Sequence, residues 1–426
     1  MSIMTKASAI RSRSLKASIV TGAVLASAAL VLSGCSTPGD GGDGGGVEDL
    51  ALTIGTALPQ TGNLAFLGPP EEAGVAYAVS QINEATADTG LTLDVVYGDS
   101  GDTDNKAYET EIPRLLGEDV SAIIGAASSG TSLQFIDQVV GAGVIQFSPA
   151  NTSAAFTTYD DNGLYFRTAP SDVLQGEILG NLIAEDGNQT LGMIVLNDSY
   201  GTGLAESTTA AFEAAGGTVV AAPTYNTGDT IFTTQLSEVL AAAPDAIALI
   251  TFDEVSTILP GLFGQVDPSK LYFVDGNLKN FGDAFPAGSL TGSKGTLPGL
   301  SIDTLGDFTG QLDDFLAAEG TDPLEDYSYA AESYDATVLL ALSALAAGST
   351  DGTEMAAKLQ EVSGGSGDGE KCTSYADCAA IIVGGGVADY DGISGPITFD
   401  EVGDPTEASV GIYVYGDDNN YSAYTG

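Results

Sequence analysis

The chain has 426 residues, with 58 aspartates and glutamates against 12 lysines and arginines, a formal net charge of −46 and no histidine. That length exceeds one ordinary domain and predicts two. The acidity argues against nucleic acid or an anionic lipid face as partner, and the missing histidine removes any Ser-His-Asp triad. The first apolar segment is Ala17–Leu32, preceded by Lys6, Arg11, Arg13 and Lys16. It is too short for a spanning helix of about 20 residues and ends in small residues, as a secretory leader does. From Leu50 onward, strands and amphipathic helices alternate. "LALTIGTAL" is a strand, "EEAGVAYAVSQINEA" a helix with Val75, Val79 and Ile82 on one face, and "LTLDVVYG" a strand. "NKAYETEIPRLLGE" is a helix interrupted near Pro113, "VSAIIGA" a strand, "LQFIDQVVGAG" a helix and "VIQFS" a strand. The grammar pauses at "YFRTAPSD" and restarts with "TLGMIVLN", "GTVVAAPTY", "DAIALITF" and "KLYFVDG" as strands between helices, "EVSTILPGLFGQ" among them. Such alternation predicts parallel sheets covered on both faces. The last third holds a long apolar helix, "SYAAESYDATVLLALSALAAG", a loop-rich stretch over 364–390, and two closing strands in "GPITFDEVGDP" and "EASVGIYVYG".

Leu32-Ser33-Gly34-Cys35 closes the leader and resembles the lipobox of bacterial lipoproteins. The resemblance implies a lipid on Cys35, which becomes the first residue of the exported, membrane-anchored chain. The other reading is a plain signal or anchor with an incidental cysteine. "STPGDGGDGGG" then reads as a flexible tether rather than a calcium repeat, since nothing repeats it. Outside the cytoplasm, the close pair Cys372 and Cys378 is most simply a disulfide. A zinc site would want four ligands, so neither a metal nor a cofactor is expected.

Enzyme motifs fail one by one. "GDSG" at 98–101 matches a serine-protease nucleophile loop in letters, but there is no histidine to activate it. Neither a nucleophile elbow nor a P-loop occurs, no G-x-G-x-x-G follows a strand, and "DYDGISG" lacks the terminal glutamate of a calcium loop. Among so many acids no spacing singles out a glycosidase pair. What remains is polar residues at consecutive strand ends: "ASSGT", "SPANTSAAF", "NDSYGTG", "TFDE" and "VDGN". Each alone reads as a cap or turn, with Asn151 or Thr152 the expected cap of a following helix. Their recurrence in two units, where open α/β sheets bind ligands, predicts a cleft between facing lobes.

"GTALPQTGNLAFLG", "IIGAASSGTS", "QFSPANTS", "FRTAPSD" and "LNDSYGTGL" occur in the order seen in type I periplasmic binding proteins, and resemble the leucine/isoleucine/valine receptors of ATP-driven (ABC) importers. The resemblance runs from about Leu50 to the end. It implies two doubly wound lobes, 50–168 with 300–398 and 169–299 with 399–426, on a three-crossover hinge. It also implies a monomer that binds a small zwitterionic solute, a branched-chain amino acid first, and hands it to a permease without chemistry. Ser129 would meet the solute's carboxylate, Ala150 and Thr152 its ammonium, with Tyr200, Phe252 and Asp275 approaching from the other lobe and Leu67, with Phe66, walling the side chain. Phe252 stands where relatives often have tyrosine, and Asp275 matches only across a one-residue gap. A receptor for amides, urea or small aromatic acids, or a sensor without an importer, is the alternative.

Overall fold

The computed structural model describes residues 49–425; the leader, Cys35 and most of the tether lie outside the described residues. The first sheet is wholly parallel, in the order Leu91–Val96, Leu50–Ala57, Ala122–Gly125, Ile145–Ser148, Tyr165–Arg167. The second runs Thr218–Ala221, Thr190–Leu196, Ala246–Ile250, Leu271–Phe273, Lys294–Pro298, all parallel. Both therefore share the same winding, in which the chain starts inside the sheet, steps to one edge and then reverses past its starting strand.

The side chains explain why these sheets sit between helices. Along Ala122–Gly125, Ile124 faces the core built on the helix Ala330–Ala347, and Ile123 faces the opposite core with Leu115, Phe135 and Val139. A strand whose two faces are both covered reads as an unbroken apolar run, which is how "AIIG" reads. Ala330–Ser343 is buried at every position, so its sequence carries no polar stripe.

Several expectations change in detail. The second sheet is mixed rather than parallel, because Val410–Tyr415 returns from the crossovers and pairs antiparallel with Lys294–Pro298, and is itself flanked by the antiparallel Tyr421–Ala423. The pause at "YFRTAPSD" contains an edge strand, Tyr165–Arg167. Pro113 sits inside the unbroken helix Tyr108–Gly117. Only Val255–Ile258 of "EVSTILPGLFGQ" is α-helical, since at Pro260 and Gly261 the chain tightens into the 3₁₀ turn Leu259–Gly261 and then leaves the helix. The stretch 364–390 is more ordered than expected: it holds a strand, Glu370–Cys372, and a helix, Tyr375–Val383, joined by the Cys372–Cys378 disulfide with its Cα atoms 5.3 Å apart.

The chain passes between the sheets three times, after Arg167, after Pro298 and between Pro396 and Val410. These passages are stitched sideways. The Arg167 amide donates to the Gly403 carbonyl (3.2 Å) and the Gly299 amide to the Ser409 carbonyl (2.9 Å). The Arg167 guanidinium, fully buried, forks onto both oxygens of Asp404 at 2.6 and 2.8 Å.

Candidate functional site

In doubly wound sheets the loops diverge, and leave a crevice, where the strand order reverses. In the first sheet that point lies between Leu50–Ala57 and Ala122–Gly125, and their trailing loops carry Leu64, Leu67, Ala127 and Ser129. In the second it lies between Thr190–Leu196 and Ala246–Ile250, which are followed by Tyr200 in the first turn of a helix and by Phe252 in a loop. The two crevices face each other across a narrow cavity of about 10 Å³.

On the first side, Ser128 caps the helix Ser129–Gly141, its hydroxyl accepting from the Thr131 amide at 3.2 Å. The small residues let two loops meet. Asn151 donates its side-chain amide to the carbonyls of Ala126 (2.9 Å) and Ala127 (2.8 Å), and the Ser129 hydroxyl accepts from the Ser153 amide (3.2 Å). Asn151 is therefore a staple between loops and not a helix cap, and the next helical element is only the single 3₁₀ turn Phe156–Thr158. Arg167 supports this loop from behind through the carbonyls of Asn151 (3.3 Å) and Ser153 (2.8 Å). Between those carbonyls the Thr152 hydroxyl is buried beside the Asp172 carboxyl.

On the second side, Asp198 caps the helix Ser199–Ala214 through the Gly201 amide at 2.8 Å. The next residue but one, Tyr200, stacks on Phe252 with ring centres 5.3 Å apart and planes 19° from parallel. Gly276 makes room for that stack, since a Cβ there would lie 2.7 Å from the Phe252 ring. Asp275 is the centre of the polar network. Its Oδ1 accepts from Tyr200 (2.7 Å) and the Gln175 side-chain amide (3.0 Å), and its Oδ2 accepts from Tyr329 (2.9 Å), which comes from the first lobe. Burial pushes the Asp275 carboxyl above the ordinary aspartate range, and these donors pull it partly back. Asp172, fully buried, is pushed well up by burial and by Asp275, while the nearby Thr152 hydroxyl pulls it partly back.

Of the residues singled out in the sequence, Ser129, Ala150, Leu67, Tyr200, Phe252 and Asp275 line the same cavity. Thr152 and Phe66 are not among its lining residues. The Phe66 ring turns outward beneath the Lys279 ammonium, 5.5 Å from its centre, and Leu64 takes the inner position. The turn that donates the Leu67 amide to the Leu64 carbonyl (2.9 Å) puts residues three apart on one side and rotates Phe66 away. Tyr329, Gln175 and Leu64 were missed. Tyr329 precedes an apolar helix and reads as its first turn, and its positive φ of 61° has no sequence signal for a tyrosine.

The lobes touch around the cavity. The Asn63 side-chain amide donates to Glu254 (2.6 Å) and the Ser153 hydroxyl to the Ser199 carbonyl (3.0 Å). Gly130 lies so close to Asp198 that a Cβ would meet its Oδ2 at 2.6 Å. Burial there pushes the Asp198 carboxyl up to about 6. No cluster of candidate metal ligands occurs among the described residues.

The model of the family described as "Periplasmic binding protein" matches residues 51–371. The chain belongs to that family. This periplasmic binding protein is 29% identical over 193 residues to the leucine-, isoleucine-, valine-, threonine- and alanine-binding protein of Pseudomonas aeruginosa, covering 45% of this chain and 51% of that one. The first curated relatives it matches are thus spanned over about half their length, 44% to 51%. A longer match, 24% identical over 364 residues, 81% of this chain and 83% of the other, is to the chemotactic signal transduction system substrate-binding protein BasB of Halobacterium salinarum. Among solved structures, the leucine-binding protein LivK of Thermotoga maritima superposes with a TM-score of 0.68 at 20% identity, covering 88% of this chain and 98% of that one. The branched-chain amino-acid transporter binding protein LivJ of Streptococcus pneumoniae, in complex with isoleucine, gives 0.67 at 21% identity over 88% and 99%. These superpositions establish the two-lobed fold. No helix of the described residues is long and apolar enough to cross a membrane.

Proposed function

We propose that this periplasmic binding protein is an exported solute receptor, lipid-anchored through Cys35 and acting as a monomer. It captures a branched-chain or related small amino acid between its lobes and delivers it to an ABC permease. The observation that carries the reading is the polarity of the cavity. One wall ends in a carboxyl, Asp275, oriented by three donors. The other carries the capped start of Ser129–Gly141, where unpaired backbone donors and the Ser129 hydroxyl favour an anion. An acceptor facing a donor set fits a zwitterion: ammonium to Asp275 and the Ala150 carbonyl, carboxylate to Ser129. Leu64, Leu67 and the Phe252 ring supply an apolar wall, and the lobes part to admit the solute's side chain beside it. Thr152 would reach the head group only after a small rearrangement of its loop.

Closure explains how binding becomes a signal. Contacts from both lobes stabilise the closed arrangement, and a permease that recognises it reads occupancy without any bond being made or broken. The test is calorimetric titration of the purified chain with leucine, isoleucine, valine and alanine, alongside urea and benzoate. Micromolar binding of the amino acids, about −8 kcal/mol, is expected. Binding of urea or benzoate alone would overturn the amino-acid reading. A second reading, a sensor for chemotaxis, is favoured by the long match to BasB. A neighbouring permease and ATPase supports transport; a neighbouring receptor kinase supports sensing.

A further inference from the structure

The three passages between the lobes enclose a second cavity, separate from the cleft. Each contributes to its walls: Thr168 and Pro170 from the first, Gly299 and Leu300 from the second, Pro396 and Ser409 among those of the third. Apolar and hydroxyl groups thus surround one buried carboxyl, Glu332, whose residue is only 6% exposed, with the exposed Glu407 at the rim. The carboxyl is held under the second passage. Gly299 has a φ of +100°, and a Cβ there would lie 2.2 Å from Glu332 Oε1. Among the described residues no side-chain or backbone donor is within hydrogen-bond distance of that carboxyl from another residue, and no cation pairs with it. The titratable groups that face it from every side are Glu71 on the helix Gly68–Glu84, Asp335 one turn on, Glu407 at the rim, Tyr329 and Tyr413. All are acids.

A buried carboxyl aimed into an apolar-walled cavity, with only acids for neighbours, has a clear complement: a small positively charged group on a compact hydrocarbon body. We propose that the hinge cavity is a second ligand site that takes a small organic ammonium ion, with Glu332 as its counter-charge and the hydroxyls of Thr168 and Ser409 as further acceptors. Apolar walls with only two carboxyls, Glu332 inside and Glu407 at the rim, favour an alkylammonium over a bare metal ion, which would want several oxygen ligands. Because every passage contributes to the wall, rotation of the lobes changes the shape of the site, so an occupant there biases the opening of the cleft. Burial raises the Glu332 carboxyl from 4.5 to about 8, so an ammonium ion that binds at neutral pH displaces a proton, and affinity rises with pH up to that value.

The probe is tert-butylammonium chloride, with tert-butanol as the neutral match in shape, titrated into the purified chain by calorimetry at pH 8. Millimolar binding of the ammonium ion and none of the alcohol is expected. Glu332→Gln should weaken it by about tenfold or more, as loss of a charge-assisted contact does, and Asp275→Asn, which alters the cleft, should leave it intact. Should Glu332→Gln fail to fold, Ala408→Phe at the exposed rim blocks the mouth and should abolish binding in a chain with wild-type melting. Equal binding of ammonium and alcohol, unchanged affinity in either hinge variant, or loss in Asp275→Asn alone would each overturn the proposal. The last outcome would assign the ammonium ion to the cleft.

Discussion

Replacing Asp275 by asparagine separates the cost of holding a buried carboxyl from its use. The substitution keeps the shape, removes the charge and turns one acceptor oxygen into a donor. Three donors converge on the wild-type carboxyl: the Gln175 amide and the hydroxyls of Tyr200 and Tyr329. The hydroxyls can rotate and accept from the new amide, so the network survives with one or two weaker bonds. The wild-type carboxyl is already penalised by burial, and an uncharged group relieves that penalty. The variant should therefore melt at or above the wild-type temperature at pH 8. Amino-acid binding should behave oppositely. A hydrogen bond between ammonium and carboxylate is worth about 1.5–3 kcal/mol, and its loss raises the dissociation constant by about 10- to 150-fold. Calorimetry with leucine and a melting curve on the same preparation read both effects. Leucine affinity within a factor of about two of wild type, in a variant with wild-type melting, would refute the role given to Asp275.

Ser129→Ala should weaken leucine binding by about tenfold while the chain stays folded, because its hydroxyl otherwise holds only the Ser153 amide; calorimetry decides. Arg167→Met should lower stability by about 3–5 kcal/mol in urea titration, since it strands Asp404 and frees the carbonyls of Asn151 and Ser153. Glu332 has a folded carboxyl raised from 4.5 to about 8, so its contribution is intact below the lower value and is lost as pH rises through the upper one. Melting temperature should fall across that window, and Glu332→Gln should flatten the fall near pH 8. Replacing Cys372 and Cys378 by serine should cost about 2 kcal/mol, as expected for so short a loop, and leave leucine binding unchanged.

Much of the architecture could be read from the sequence because strands buried on both faces and helices with one apolar stripe have distinct periods. The residues after "AIIGA", "VIQFS", "TLGMIVL" and "KLYFV" marked the strand ends that form the cleft, and Ser129, Ala150, Tyr200 and Asp275 from those ends share its lining. The edge strand Tyr165–Arg167 was hidden because three residues carry no period. Choosing Leu64 over Phe66 required the rotation of one turn, which depends on backbone geometry and not on residue type. Gln175 and Tyr329 sit at helix starts, where a side chain reaching 100 or 54 positions along the chain to Asp275 looks like any other helical residue.

The sideways bonds among the three interlobe passages limit how the molecule can move. A single strand can twist as well as bend, whereas strands tied at Arg167–Gly403, Arg167–Asp404 and Gly299–Ser409 form a flat strap that resists shear. Such a strap flexes about one axis and returns each jaw to the same alignment, so Tyr329 and Asp275 meet at every swing without a search for register.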